Sequence, residues 1–174
     1  MILEQILTSL WFILPAYFAN AAPVFVKIIT KPHPLDRGKL FFDKKPILGK
    51  GKTIEGFLFA VIIGIVVGFI QSNFNHLIPT AEIKMTVTLA FILAFGAMFG
   101  DIFASFLKRR AGFKRGESVF LLDQLDFVIM ALLFATVVVS PPLYVWVILM
   151  IITPLANLLS NVLAYVLKLK DVWW

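Results

Sequence analysis

The chain contains no cysteine. Disulfides, thiol nucleophiles and cysteine-ligated zinc are therefore excluded. Histidine is nearly absent. His33 and His76 stand alone in polar stretches, short of any multi-histidine metal pattern. Charge is scarce as well: 15% of residues are charged against 60% hydrophobic, with a mean hydropathy of +0.94. Soluble domains run nearer half apolar. No internal repeat or low-complexity linker divides the 174 residues, which read as one membrane domain.

Long uncharged runs are what the chain has in excess. Gln5–Val26, between Glu4 and Lys27, gives 22 residues, enough to cross a hydrocarbon core of about 30 Å at about 1.5 Å per residue. Ala19-Asn20-Ala21 imitates a signal-cleavage site, but no basic segment precedes the run. It reads as an uncleaved helix, N-terminus outside, bent by Pro15 and Pro23. Asn20 is open to two readings there, a helix–helix hydrogen bond or a polar group of a site. Phe127–Leu167 is uncharged for 41 residues, the length of two spans joined at Ser140-Pro141-Pro142. The pattern predicts an all-α integral membrane protein with five transmembrane helices, at about 5–29, 53–71, 85–109, 120–139 and 143–167. Gly64 and Gly68 in the second form a small-xxx-small pair for close packing, within the chain or between two copies in a homodimer.

The cations choose the orientation. Of 16 Lys and Arg, seven fall in 31–52, five in 108–115 and two at Lys168 and Lys170, while only Lys84 lies on the other side. The positive-inside rule then predicts a multi-pass protein of the cell membrane, N-terminus outside and C-terminus cytoplasmic. Cations confined to short loops in this way argue against a nucleic-acid partner.

Within the first basic loop, Gly49-Lys-Gly-Lys-Thr53 imitates the end of a P-loop. Pro46 stands where that pattern needs glycine, and no strand precedes it. Thr53 still suits the N-cap of the next helix, where free backbone N–H groups favour an anion. The alternative is a solvated basic loop against anionic headgroups.

Asp101, Glu55, Asp123 and Asp126 all fall near the cytoplasmic interface. An acid inside a span costs at least about 2.5 kcal/mol, so it needs a partner or a role. Glu55 has one in the first turn of its helix. Asp101, Ser105 and Lys108 are spaced i, i+4, i+7 on one face, and Asp123 and Asp126 are spaced i, i+3. About ten residues join the two segments, so the faces can meet beside Lys108, Arg109 and Lys114. The carboxylates suit Mg²⁺ and the cations suit polyphosphate oxygens. The structural alternative is an Asp101 ion pair, with Asp123 and Asp126 as helix N-terminal acids. All of them gathering at one interface favours a site.

At these residues the sequence resembles a known family. Ser105-Phe-Leu-Lys108-Arg109, four residues, then Lys114 is similar to the signature of the CTP:phosphatidate cytidylyltransferases, the CDP-diacylglycerol synthases. That signature begins S-x-L-K-R-x4-K-D and ends, after H-G-G, in D-R-x-D. Here Arg115 replaces the aspartate, the H-G-G is missing, the interval is shorter and the end reads Asp123-Gln124-Leu125-Asp126. These departures resemble the archaeal branch, the CDP-archaeol synthases, with their KRRxGxKRG and DQLDF runs. The first loop, Pro34-Leu35-Asp36 through Gly49-Lys-Gly-Lys52-Thr53, is also similar to the family's, apart from Lys44 and Ile54.

The resemblance implies a CTP- and Mg²⁺-dependent cytidylyltransfer to an ether-lipid phosphate, 2,3-bis-O-geranylgeranylglycerol 1-phosphate. It implies Asp101, Asp123 and Asp126 as Mg²⁺ ligands and Lys108, Arg109 and Lys114 on phosphates. Lys52 and Thr53 would meet a phosphate from the other loop, with Asn20 and Ser105 as supporting hydrogen-bonders. The acceptor would arrive from the membrane lipids between helices. Two other readings compete: a CTP-dependent polyprenol kinase, which would release CDP, and a transport subunit, which would place polar groups nearer mid-membrane.

Overall fold

The computed structural model describes residues 2–29, 31–78, 81–114, 117, 119 and 121–166. Arg115, Lys168 and Lys170, and the side chains of Lys27, Ser160 and Asn161, lie outside the described residues. Among the described residues six α-helices follow in order, α1 Ile2–Ala21, α2 Pro23–Ile29, α3 Ile54–Asn73, α4 Val87–Arg110, α5 Leu122–Ala135 and α6 Leu143–Val166, with a single 3-10 turn at Asn75–Leu77 after α3. The fold is all-helical. Among the described residues, Ile2–Val26, Ile54–Asn73 and Val87–Arg110 are long and apolar enough to cross a membrane, and Leu143–Leu159 is a shorter apolar helix.

Side-chain size in α3 is arranged for lipid. Leu58, Ile62, Val66 and Phe69 point outward, while Gly56, Ala60, Gly64 and Gly68 face the protein. In water that pattern would be inverted. In a bilayer large apolar groups gain nothing by hiding, and small ones let backbones approach. A Cβ at Gly64 or Gly68 would collide with the Ala94 or Ala90 side chain of α4. The pair is thus an intrachain seam and is not free to join two copies.

The centre is α4, which packs on α5, α3 and α1; α6 leans on α1 and α5. Phe12 and Ile13 of α1, Leu89 and Leu93 of α4, Val128 and Leu132 of α5 and Leu149 of α6 share one buried cluster.

The prolines have separate effects. Pro23, lacking an N–H, ends α1 and opens α2. Pro15 stays inside α1, where it cannot bond the carbonyl four residues back. That carbonyl, Trp11 O, instead accepts from Gln71 Nε2 of α3 at 2.8 Å. Gln71 is buried, and its own Oε1 has no partner among the described residues. Gln71→Leu orphans one carbonyl and removes another. The expected loss is about 1 kcal/mol, the lower end for an unsatisfied buried group, read as a lowered Tm in detergent.

The helix expected over 120–139 is shorter, Leu122–Ala135. Turns at Thr136–Val138 complete it, because the β-branched Val137-Val138-Val139 before Ser140-Pro141-Pro142 favours leaving the helix.

The basic loop before α3 is folded around one carboxylate. Buried Asp36 accepts from Gly38 N at 2.9 Å, Leu48 N at 2.9 Å and Gly49 N at 2.8 Å. Burial pushes its carboxyl up, but these backbone donors prevail and hold it below the usual carboxylate value. Gly38 and Gly49 supply the left-handed backbone, with φ of 75° and 84°. The Gly49 N–H that a P-loop would offer to phosphate is taken by Asp36.

Candidate active site where the two basic loops meet α4 and α5

Thr53 and the residues before it bring the first loop to α4. Thr53 caps α3, its Oγ1 accepting from Gly56 N at 3.2 Å. Leu35 N donates to Lys52 O at 2.8 Å, and Ile54 N to His33 O at 3.0 Å. His33 is also tied to Glu55 Oε2 through its backbone N–H at 2.7 Å. These bonds fix Lys52 beneath α4, and Lys52 Nζ reaches Asp101 Oδ1 at 2.5 Å. Lys52, Thr53 and Asp101 share the lining of a cavity of about 40 Å³.

One face of α4 carries Asp101, Ser105 and Lys108, and its far end reaches α5. Lys108 Nζ donates to Asp123 Oδ1 at 2.8 Å and Oδ2 at 2.9 Å. The Lys108 side chain is only 11% exposed, so its ammonium depends on that carboxylate. Asp123 Oδ2 also accepts from Val119 N at 3.0 Å, which anchors the loop entering α5. Ser105 sits between the two pairs and makes no hydrogen bond among the described residues.

Asp126 is held close by glycine. A Cβ at Gly100 would run into the backbone carbonyl oxygen of Asp126 and stand 2.9 Å from Met130 Cβ; one at Gly96 would stand 2.8 Å from Met130 O. Gly96 and Gly100 are therefore the flat strip on which α5 lies. The charges acting on Asp126 are those of Asp101, Lys52 and Asp123. Its carboxylate takes only the N–H of Phe127, at 2.6 Å, and forms no ion pair among the described residues. Two acid–lysine pairs thus flank one carboxyl group with no ion pair of its own among the described residues. The Gly96/Gly100 strip was missed from sequence, although Gly96-Ala-Met-Phe-Gly100 has the same i, i+4 spacing as Gly64/Gly68.

Beside this cluster the two loops enclose a cavity of about 500 Å³, lined by Lys45, Lys50, Arg109 and Lys114 along with Asp36 and Phe113. Arg109 holds Phe113 O through NH1 at 2.7 Å, while its buried Nε has no partner among the described residues. Arg110, which the sequence did not single out, shapes the wall. Its guanidinium pairs with Asp43 at 2.5 Å, bonds Pro46 O, and lies 4.7 and 5.1 Å from the Phe41 and Phe106 ring centroids.

The structure therefore brings Asp101, Lys52, Thr53, Lys108, Asp123 and Asp126 together, with Arg109 and Lys114 at the adjoining cavity. Asn20 does not join them. It lines a separate cavity between α1, α5 and α6. Chemically, clustered carboxylates next to unpaired basic side chains suit the binding of a polyphosphate.

Comparison with known proteins follows the same line. A family model described as CarS-like, CDP-archaeol synthase, matches residues 2–174. The CDP-archaeol synthase of Methanocaldococcus jannaschii is 42% identical over 180 residues, spanning 100% of each chain. That of Thermococcus gammatolerans is 42% identical over 174 residues, covering 99% of this chain and 98% of that protein. A solved structure described as an intramembrane enzyme for archaeal membrane lipids biosynthesis has a TM-score of 0.77 at 34% identity, covering 90% of this chain and 94% of the other.

Proposed function

The chain belongs to the CDP-archaeol synthase family, and on that premise we propose that it transfers the cytidylyl group of CTP to 2,3-bis-O-geranylgeranylglycerol 1-phosphate. The products are unsaturated CDP-archaeol and pyrophosphate. The observation that carries the reading is the pair of lysine-bound acids, Asp101 and Asp123, with Asp126 beside them and free of an ion pair among the described residues, next to a basic cavity.

The chemistry is substitution at phosphorus. An oxygen of the lipid phosphate attacks the α-phosphorus of CTP, the bond from that phosphorus to the α,β-bridging oxygen breaks, and pyrophosphate leaves with the bonding pair. The nucleophile is already an anion, so no histidine or cysteine base is needed. What remains is positioning and charge neutralisation. Arg109 and Lys114 take triphosphate oxygens at the cavity, with Lys108 and Lys52 behind them. Thr53 spends an acceptor on the helix cap and keeps its hydroxyl hydrogen for a phosphate. Ser105 offers a further donor on the same α4 face.

Asp101, Asp123 and Asp126 fit Mg²⁺. The donors are all oxygen, and this ion needs one or two carboxylates when phosphates and water complete its shell. Among the described residues no three such side chains form a metal-holding group by themselves, so phosphate oxygens and water would have to complete the shell. When bound, it would neutralise triphosphate oxygens and make the α-phosphorus more electrophilic.

The proposed setting is the cell membrane, crossed five times, with α1 and α2 as one broken span and the acids on the cytoplasmic side. The distribution of Lys and Arg supports it. Pyrophosphate release by purified protein, dependent on CTP, Mg²⁺ and the ether-lipid phosphate together, tests the reading. Release without the lipid would count against it.

Arg110→Lys should matter although charge is kept, because an ammonium cannot reproduce the fork to Asp43 and Pro46 or the stacking between Phe41 and Phe106. Steady-state kinetics should show KM for CTP raised about tenfold, one lost anchoring interaction at the cavity wall, with kcat changed little.

A further inference from the structure

Between α1, α5 and α6 lies a cavity of about 200 Å³ walled by Tyr17, Asn20, Phe127, Thr153, Ala156 and Asn157. It is smaller than the roughly 300–1,000 Å³ of ordinary ligand pockets, too tight for a nucleotide. Four of its seven lining residues are polar, and polar groups within membrane-spanning helices need a partner or a role. Tyr17 and Thr153 bond each other through their hydroxyls at 2.7 Å, which leaves one O–H of the pair free to donate. The Asn20 and Asn157 amides make no hydrogen bond among the described residues. The cavity thus holds two amides, each both donor and acceptor, and one hydroxyl donor, without partners among the described residues.

Its position is equally informative. Phe127 follows Asp126 on α5, and its ring centroid lies 5.7 Å from that of Tyr17 with the planes tilted by 56°, so the cavity begins where the acid cluster ends. On the opposite side Ala156 is exposed, as is Leu155 beside it. Because α6 touches neither α3 nor α4 among the described residues, this edge opens between helices toward lipid.

An occupant that suits it accepts from these N–H and O–H groups and carries apolar chains out toward the bilayer, and the lipid acceptor of the proposed reaction does both. We propose that this cavity seats the glycerol backbone of the lipid acceptor, with its two ether oxygens accepting from Asn20, Asn157 and the Tyr17–Thr153 pair. The inference rests on the cytidylyltransferase reading and adds the residues that recognise the lipid. Asn157 was not among the site residues expected from sequence.

The test compares two acceptors with the purified full chain in nanodiscs: a glycerol diether phosphate, and a long-chain alkyl phosphate that lacks the glycerol oxygens. The wild type should favour the diether in kcat/KM. Asn157→Leu and Asn20→Leu should each shrink that preference about tenfold, the worth of one such hydrogen bond, with KM for CTP unchanged. The preference is a ratio on the same protein, so partial loss of folded material does not move it. A wild type that turns over both acceptors while the variants keep its preference would overturn the inference and leave the reaction standing. A wild type that turns over neither would overturn the reaction and the inference with it.

Discussion

Asp126→Asn is expected to cut turnover steeply while leaving the protein at least as stable. Asp126 makes no ion pair among the described residues and sits in the field of Asp101, Lys52 and Asp123. Neutralising it gives up an attraction to Lys52, which keeps Asp101 as its partner, and removes the larger repulsion from Asp101, so Tm should hold or rise. Catalysis should still fall by about 10²–10³, as when a single electrostatic stabiliser is removed from a preorganised site. Asp123→Asn is the informative contrast. It strips Lys108, only 11% exposed, of its counter-charge, so activity and stability should fall together. A thermal melt and a pyrophosphate assay on both variants separate the roles. If Asp126→Asn kept wild-type turnover, that carboxyl group would have no part in the chemistry.

Gly100→Ala should be nearly as damaging without touching any charged group. The added methyl meets the backbone of Asp126 and the Cβ of Met130, and a backbone does not yield as a flexible side-chain tip does. The α5 helix must move off α4, carrying Asp123 and Asp126 away from Asp101 and Lys108. Overpacking should cost about 1–3 kcal/mol. A displacement near 1 Å at reacting groups costs about 100-fold in rate, and that is the fall expected in kcat. Gly64→Ala is the control, since its methyl meets Ala94 on the α3 side of α4. It should lower Tm and leave turnover per folded molecule intact. Equal kcat losses in the two variants would mean that the α4–α5 distance is not what matters.

These two residues mark what could be read from sequence and what could not. The 3.6-residue period put Asp101, Ser105 and Lys108 on one face, and from that face Lys108 does reach Asp123. Such spacing is local and survives any tertiary arrangement. Thr53 was legible as a cap for the same reason. The partner of Asp101 was not. Lys52 lies 49 residues away and arrives only because the first loop folds on Asp36 and the bonds of Lys52, Ile54 and His33 fix its exit. Arg110 looked like one more cation in a basic run until the hairpin carrying Asp43 and Pro46 docked on it. Pro15 announced a bend in α1, yet its consequence was a carbonyl satisfied from α3 by Gln71. Asn20, given a supporting role beside the acids only by the resemblance, lines the cavity shared with α5 and α6, because no periodicity says which neighbour a helix face will meet.

The central claim, cytidylyl transfer to a lipid phosphate at the α4–α5 cluster, is tested most directly by following both ends of the nucleotide. Purified protein would be given Mg²⁺, the ether-lipid phosphate and CTP labelled separately at the α- and γ-phosphates. The α-label should pass into the organic phase with the lipid and the γ-label should leave as pyrophosphate, and Asp126→Asn should slow both by the same factor. Label from the γ-phosphate in the lipid, with CDP left in water, would contradict the account and make the protein a kinase.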